Sequence, residues 1–329
     1  MAEVHAHIVT HNHAAYIAKS VSALCRQAGY SPQTLAISIS DNASSDDTRQ
    51  VLSNLPEHVQ IYLNDSNLGF CAAYNQAVQR FLESGAEYFL VINPDVILQP
   101  TALGLLVDVL RSGKWGICCP KLYRADEDLQ ILRERELDST GMYLSSELRH
   151  LDRGSGEIDR GQFDGYQEVF GASGAAMLLS RKTVQCLLLE PGVGADPLLK
   201  IHPQLEPGYD TRPQLFDEAF FAYREDADLA WRAQRLGVRC RFVPEAIGYH
   251  RRHVLPELRR QLVGGINLLS VQNRFLLQLN NVSSILSFRV LLRGLLFRNF
   301  LVLVAVFMRE WTSIPALKRI VILLSLIHI

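Results

Sequence analysis

The sequence predicts an α/β fold with a mostly parallel central sheet. Short apolar runs of strand type alternate with helical patterns from Val4 to Leu110, the alternation that builds parallel sheets. These runs end in polar residues, and one of them, Tyr88 to Ile92, stops at Asn93-Pro94-Asp95. A carboxylate behind such a turn lies at the edge where sheets of this kind bind ligands.

The elements follow in order. Val4 to Thr10 reads as a strand, Ala14 to Gln27 as a helix, and Leu35 to Ser40 as a strand that ends at Asp41-Asn42. Ser44-Ser45-Asp46-Asp47 is a helix start, with hydroxyls to cap and acids in the first turn. Val59 to Leu63 is the next strand. Phe70, Ala73, Tyr74, Ala77, Val78, Phe81 and Leu82 then share one helical face. Tyr88 to Ile92 is a strand and Thr101 to Leu110 a helix. Arg124 to Gln167 is polar, and its periodicity fades. Val169 to Leu179 reads as a buried strand rich in small residues, and Pro191 to Pro213 as a long loop. Glu225 to Leu236 is a helix, Val238 to Val243 a strand, and Leu255 to Asn281 a helix. The whole is Rossmann-like.

The 329 residues suffice for one large α/β domain with an appendage, or for two domains. The formal net charge of −1 hides an asymmetry. From Arg251 onward eleven Lys/Arg face two acids, a net of +9 that leaves −10 for the rest. The division expected is a body over 1–254 and a basic, apolar helical tail over 255–329. Ile285 to Met308 is apolar but carries Arg289, Arg293 and Arg298, which disfavour a plain transmembrane span. Its arginine-free part, Asn299 to Met308, is shorter than the ~20 residues a span needs. An amphipathic helix lying on an anionic membrane surface fits better. The closing run Ile320 to Ile329 lacks a polar end, so it either continues in a longer natural protein or includes non-native residues. The start, Met1-Ala2-Glu3-Val4-His5, has no secretory pattern. The six cysteines form no Cys-x-x-Cys pair, which fits a reducing compartment without a zinc site. The expected location is cytoplasmic, at the inner face of the cell membrane, with no nucleic-acid partner.

Five motifs fall where strand ends should meet: Ile8 to Asn12, Asp41 to Asp46, Asn67 to Asn75, Asn93-Pro94-Asp95, and Phe216 to Leu229. In this order and spacing they resemble the family 2 inverting glycosyltransferases of GT-A fold, in particular their rhamnosyltransferase-like branch. The resemblance runs from about Val4 to His250. It implies a donor that is a nucleoside-diphosphate sugar (dTDP- or UDP-linked) and an acceptor that is a glycan or a lipid-linked sugar.

The resemblance also assigns roles. Thr10, Asn12, Asp41, Gly69 and Asn93 match nucleotide-binding positions. Asp41 could accept from the N3–H of uracil or thymine, or serve only as a turn residue or helix cap. Gly69 opens a helix whose N–H groups could face phosphate, or is an ordinary entry glycine. Asp95 is the expected ligand for Mg²⁺ or Mn²⁺, with His250 as the second and His253 as an alternative to it. Many GT-A enzymes carry an aspartate where this chain has Asn93, so one charge fewer faces the ion. Asp226 matches the catalytic base, and Glu225 and Asp228 are alternatives. Gly174 and Ala175 would lie beside the donor sugar, or pack tightly in the core. Asp217, Glu218 and Glu225 are acceptor-side candidates. Arg232 could face phosphate or pair with Asp228. Two competing readings are a nucleotidyltransferase, which would favour a basic glycine-rich first loop that Thr10-His11-Asn12-His13 lacks, and a non-catalytic glycan-binding scaffold, which would typically have lost these acids.

Overall fold

The computed structural model describes residues 2–132, 135–189, 213–252, 265–282, 288–309 and 311–324. Its centre is a ten-stranded sheet. The strands are β1 (Val4–Thr10), β2 (Leu35–Asn42), β3 (Val59–Asn64), β4 (Tyr88–Ile92), β5 (Val96–Leu98), β6 (Ile117–Arg124), β7 (Leu137–Ser139), β10 (Glu168–Val169), β11 (Ala176–Ser180) and β12 (Cys240–His250). The short pair β8 (Met142–Leu144) and β9 (His150–Asp152) forms a separate hairpin. The main order is β10-β12-β6-β11-β4-β1-β2-β3. Strands β4, β1, β2 and β3 are parallel, as are β6 and β12, while β11 runs antiparallel between β4 and β6. The carboxyl ends of β1, β2, β4, β6 and β12 therefore share one edge, and the start of β11 joins them there.

The sheet separates two apolar cores because side chains alternate along each strand. Val4, Ala6 and Ile8 of β1 and Leu90 and Ile92 of β4 face one core. It is closed by α1 (Ile17–Cys25) and α4 (Ala102–Arg111). Phe89 and Val91 face the other. There α3 (Gly69–Ser84) buries Cys71, Tyr74, Ala77, Val78 and Phe81, the face its spacing predicted. Helix α3 ends at Gly85 with φ 75°, the left-handed terminator that glycine adopts without strain. The short α2 (Thr48–Ser53) follows the acidic turn, and α5 (Arg181–Leu187) follows β11.

Three expectations are corrected. The Val169–Leu179 run is not one strand: Gly171 to Ala175 separates β10 from β11 and turns at the ligand edge. Beyond Val243 the strand β12 continues through an irregularity to Ile247 and on to His250. Pro244 therefore bends the strand without ending it, as a proline at a bulge can. The polar segment from Arg124 to Gln167 holds β7, β8 and β9, each three residues long and too short to show periodicity. Most of the Pro191–Pro213 loop, and His253, lie outside the described residues.

Helix α6 (Glu225–Arg235) precedes β12, and α7 (Gly265–Asn281) packs against α6. Although α7 falls in the predicted tail, its inner face is polar and bonds to the body. Asn273 Nδ2 lies 2.8 Å from each of the carbonyls of Phe220, Ala222 and Tyr223. Asn281 Nδ2 donates to Asp228 at 2.7 Å. The tail then forms Phe288–Val290, the π-helical Leu291–Phe297, α8 (Arg298–Arg309) and α9 (Ile314–Leu324). From Phe288 to Met308 the helix runs 21 residues, long and apolar enough to cross a membrane. That length includes Arg289, Arg293 and Arg298, the residues on which the interfacial reading rests, as well as the ten-residue arginine-free stretch.

Candidate active site

The register of β12 brings two distant motifs together. His250 pairs with Val96 in β5, which folds back antiparallel immediately after Asp95. His250 Nε2 thereby comes within 3.4 Å of Asp95 Oδ1, and both side chains are buried. On the other side of the ring Nδ1 meets Asp138 Oδ2 at 2.7 Å. Burial works against the imidazolium, but Asp95 and Asp138 outweigh it and lift His250 to about 10.

This pair fits a divalent cation. Ligands at about 2.1 Å from one ion stand roughly 3–3.5 Å apart when adjacent in its shell. One carboxylate oxygen and one imidazole nitrogen suit Mn²⁺ better than Mg²⁺, which favours oxygen donors. No third His, Cys, Asp or Glu completes a cluster among the described residues. That leaves positions for phosphate oxygens and water, the usual arrangement at such sites.

The Glu225–Asp228 acids differ sharply in their surroundings. Asp226 is half-buried, and its Oδ2 accepts from the Gly174 amide at 3.0 Å. Burial raises its pKa; the Gly174 amide offsets this in part, and Asp152 adds to it. Asp228 is fully buried, held by Arg232 at 2.9 Å and by Asn281. Glu225 is also buried, and its Oε2 has no hydrogen-bond partner. Burial and then Asp226 push its pKa well up. Of the three, Asp226 is the acid with an accessible carboxylate at the sheet edge.

Gly174 joins the two halves. Its amide meets Asp226, while the next carbonyl, of Ala175, accepts from the Asn93 amide at 2.9 Å. The chain from Asn93 to Asp95 and the base candidate thus flank one turn. A Cβ at Gly174 would come no closer than 3.5 Å to any neighbour, an ordinary van der Waals contact and not a tight one.

The nucleotide-side candidates form a cross-linked loop cluster. Asn12, with φ 62°, accepts through Oδ1 from the Ser45 amide at 2.7 Å. Its own amide donates to Ser44 Oγ at 2.9 Å. Thr10 is buried beside His13. Asp41 is fully buried and already accepts from Ser44 and from Arg49 Nε at 2.8 Å. These contacts are those of a turn cap with an ion pair, and a base edge would have to share Oδ1 with Ser44.

Three expectations change on geometry. At the head of α3 two N–H groups are already taken: the Gly69 amide donates to Asn67 Oδ1 at 2.9 Å, and the Cys71 amide to the Phe221 carbonyl at 3.1 Å. The glycine is required by φ +76° and by Phe221, whose carbonyl oxygen would lie 2.5 Å from a Cβ. Glu218 is 1% exposed and accepts from Asn75 at 2.9 Å, so the core excludes it from an acceptor. Asp217 caps the turn Glu218–Phe220 and accepts from Asn280. Of the two readings of Arg232, the structure has the pairing with Asp228, and its other bonds go to the carbonyls of Leu187 and Leu215.

Asp138, Asp152, Arg252 and Asn273 were not singled out from sequence. Asp138 meets His250 and Arg252, and Asn273 meets Tyr223, across 50 or more residues of chain, beyond any motif window. The strained segment Phe221, Tyr223 and Arg224, all with positive φ, was equally silent.

Residues 6–188 match the model of glycosyl transferase family 2. Among solved structures, S. aureus TarS 1-349 in complex with UDP-GlcNAc is similar at 13% identity and a TM-score of 0.55. That match covers 95% of this chain and 79% of the other. GalNAc-T7 with UDP, GalNAc and Mn²⁺ is similar at 11% identity and a TM-score of 0.52, over 76% of this chain and 44% of the other. No curated protein matches. At these identities the solved structures speak for the fold, which is the GT-A arrangement, and the family model covers more than half of the chain. The chain belongs to glycosyl transferase family 2.

Proposed function

We propose that this protein is a metal-dependent inverting glycosyltransferase. It moves a sugar, rhamnose or a similar hexose, from a nucleoside-diphosphate donor to a lipid-linked or polysaccharide acceptor in cell-surface glycan synthesis. The observation that carries the reading is the meeting of Asp95 and His250 at 3.4 Å across the Gly174 turn from Asp226. The structures with UDP-GlcNAc and with UDP and Mn²⁺ support a nucleotide-sugar donor and a divalent ion.

Asp226 takes the proton of the acceptor hydroxyl as that oxygen attacks the anomeric carbon, opposite the departing diphosphate. Its raised pKa makes it a stronger base than an ordinary aspartate. The Gly174 amide fixes Oδ2, so Oδ1 is the oxygen oriented by the Ala227 amide at the head of α6. Asp95 and His250 would hold the ion, which when bound would neutralise charge on the diphosphate. Thr10, Asn12, Asp41 and Asn93 shape the nucleoside side, with Asp41 acting through the Ser44–Arg49 cluster.

The tail holds the enzyme to the inner face of the cell membrane. Leu292, Leu296, Phe297 and Phe300 are exposed along one helix, with Arg293 among them. Gly294 and Asn299 face the body, against Leu148 and Arg274. A helix gripped on its polar side lies in the interface more readily than it spans.

Screening dTDP-, UDP- and GDP-sugars for Mn²⁺-dependent release of nucleoside diphosphate tests the function. Release from at least one donor, abolished by a chelator, is expected. No release from any donor, with or without Mn²⁺, would favour the scaffold reading.

A further inference from the structure

Behind the Asp95–His250 pair runs a line of buried charge that the proposed reaction leaves unused. His250 Nδ1 meets Asp138 Oδ2 at 2.7 Å. Arg252 spans two acids, with Nη1 at 3.2 Å from Asp138 Oδ1 and Nη2 at 2.7 Å from Asp152 Oδ2. Ser139 Oγ donates to Asp152 Oδ1 at 3.1 Å. Asp138 is 1% exposed.

The sheet explains how residues so far apart meet. Strand β7 pairs with β6 at Leu122 and Tyr123, and β6 pairs with the end of β12 at Tyr249 and His250. Asp138, in the middle of β7, is thereby carried to the strand end that bears His250. Asp152 ends β9, and its charge acts on Asp226. The line therefore runs from the metal-ligand candidates as far as Asp152.

A carboxylate buried this deeply is retained at a cost unless its charge is paired and its lone pairs are filled. Apolar residues would serve packing alone at least as well. What Asp138 supplies that an apolar residue does not is a fixed rotation of the imidazole. With Nδ1 engaged, Nε2 is the nitrogen turned to Asp95, as in other sites where a carboxylate backs a metal-binding histidine.

We infer that Asp138 is a positioning residue: it holds His250 so that Asp95 and His250 form a ready-made pair for a divalent cation of the Mn²⁺ type, and Arg252 with Asp152 holds Asp138. The inference rests on the metal reading proposed above. It adds to that reading a set of residues that never touch the ion.

The test is Mn²⁺ binding to the full chain, followed by the spin-resonance signal of free Mn²⁺ and by the Mn²⁺-induced rise in melting temperature. Asp95→Ala probes the metal reading and should abolish binding. Asp138→Asn keeps the shape and an acceptor but removes the charge. It should weaken Mn²⁺ binding by about 10- to 100-fold. Asp152→Asn, which does not touch His250, should weaken it by a smaller factor. A purely structural role would lower the metal-free melting temperature of Asp138→Asn and leave its Mn²⁺ affinity within about twofold of wild type. That result, with Asp95→Ala still abolishing binding, overturns the inference and spares the metal reading. Wild-type binding by Asp95→Ala overturns both. If Asp138→Asn does not fold, unchanged affinity in Asp152→Asn overturns the inference, and weakened affinity supports it.

Discussion

At the scale of the residue, Asp226 is set apart from its neighbours by what surrounds it. Asp228 is consumed by Arg232 and Asn281, and Glu225 is buried. A base must be deprotonated to act, and burial lifts Asp226 above the ordinary aspartate value of 3.8. Activity should therefore fall as pH drops through a pKa above that value, read from kcat/KM against pH. A rate that stays flat to about pH 4 would contradict the assignment. A second prediction concerns His5 and His7, buried on β1 and sharing the Ser38 hydroxyl. Burial first, then Arg80, lowers His5 to about 4, and burial holds His7 well below its usual value. An unfolded histidine takes up a proton near pH 6.5 and these do not. Their contribution is thus complete above 6.5 and is lost as pH falls towards 4. His5 alone accounts for about 3 kcal/mol over that window. Melting temperatures should drop steadily from pH 7 to pH 4.5, and a constant value would refute this. The sequence placed Asp95, His250 and Asp226 at plausible positions because each ends or begins an element. It could not rank Asp226 above Asp228, because Asn281 reaches Asp228 from 53 residues away.

At the scale of the element, the loop before α6 depends on two supports. Gly69 gives Phe221 room, and Asn273 gathers the carbonyls of Phe220, Ala222 and Tyr223. Gly69→Ala combines a left-handed φ with a clash and should destabilise by about 2–4 kcal/mol, measured by denaturant unfolding. A loss below about 0.5 kcal/mol would mean that the loop yields freely. Asn273→Ala leaves buried carbonyls unpaired. It should cost about 1–3 kcal/mol in the same measurement and lower kcat more than it raises KM for the donor. An unchanged kcat would detach the loop from catalysis. The first half of the chain was legible within a few residues, since β1 to α4 carry clear periods and turns. The second half was less so. Pro244 disguised the continuation of β12, the small residues Gly171 to Ala175 mimicked a buried strand, and β7 to β9 are too short to register. Polar residues facing inward on α7 bond to backbone, so its inner face does not show in a hydropathy pattern.

At the scale of the whole molecule, the sheet edge and the tail form one body joined by α7. Removing everything after Leu255 would remove the Asn273 clamp as well as the apolar helix, so truncation cannot isolate membrane binding. Replacing Leu296, Phe297 and Phe300 with Ser in the full chain does so. Sedimentation with vesicles of anionic lipid should fall by about tenfold or more, since each buried side chain contributes about 1.5–3 kcal/mol. Equal sedimentation of the variant and wild type would defeat the membrane reading. Asp226 is the proposed base beside a metal-held diphosphate. Its most direct test is the initial rate of Mn²⁺-dependent nucleoside diphosphate release by Asp226→Asn beside wild type, with donor binding measured in the same samples. The expected rate is lower by about 10²- to 10⁴-fold with donor affinity preserved; a full rate would remove Asp226 as the base.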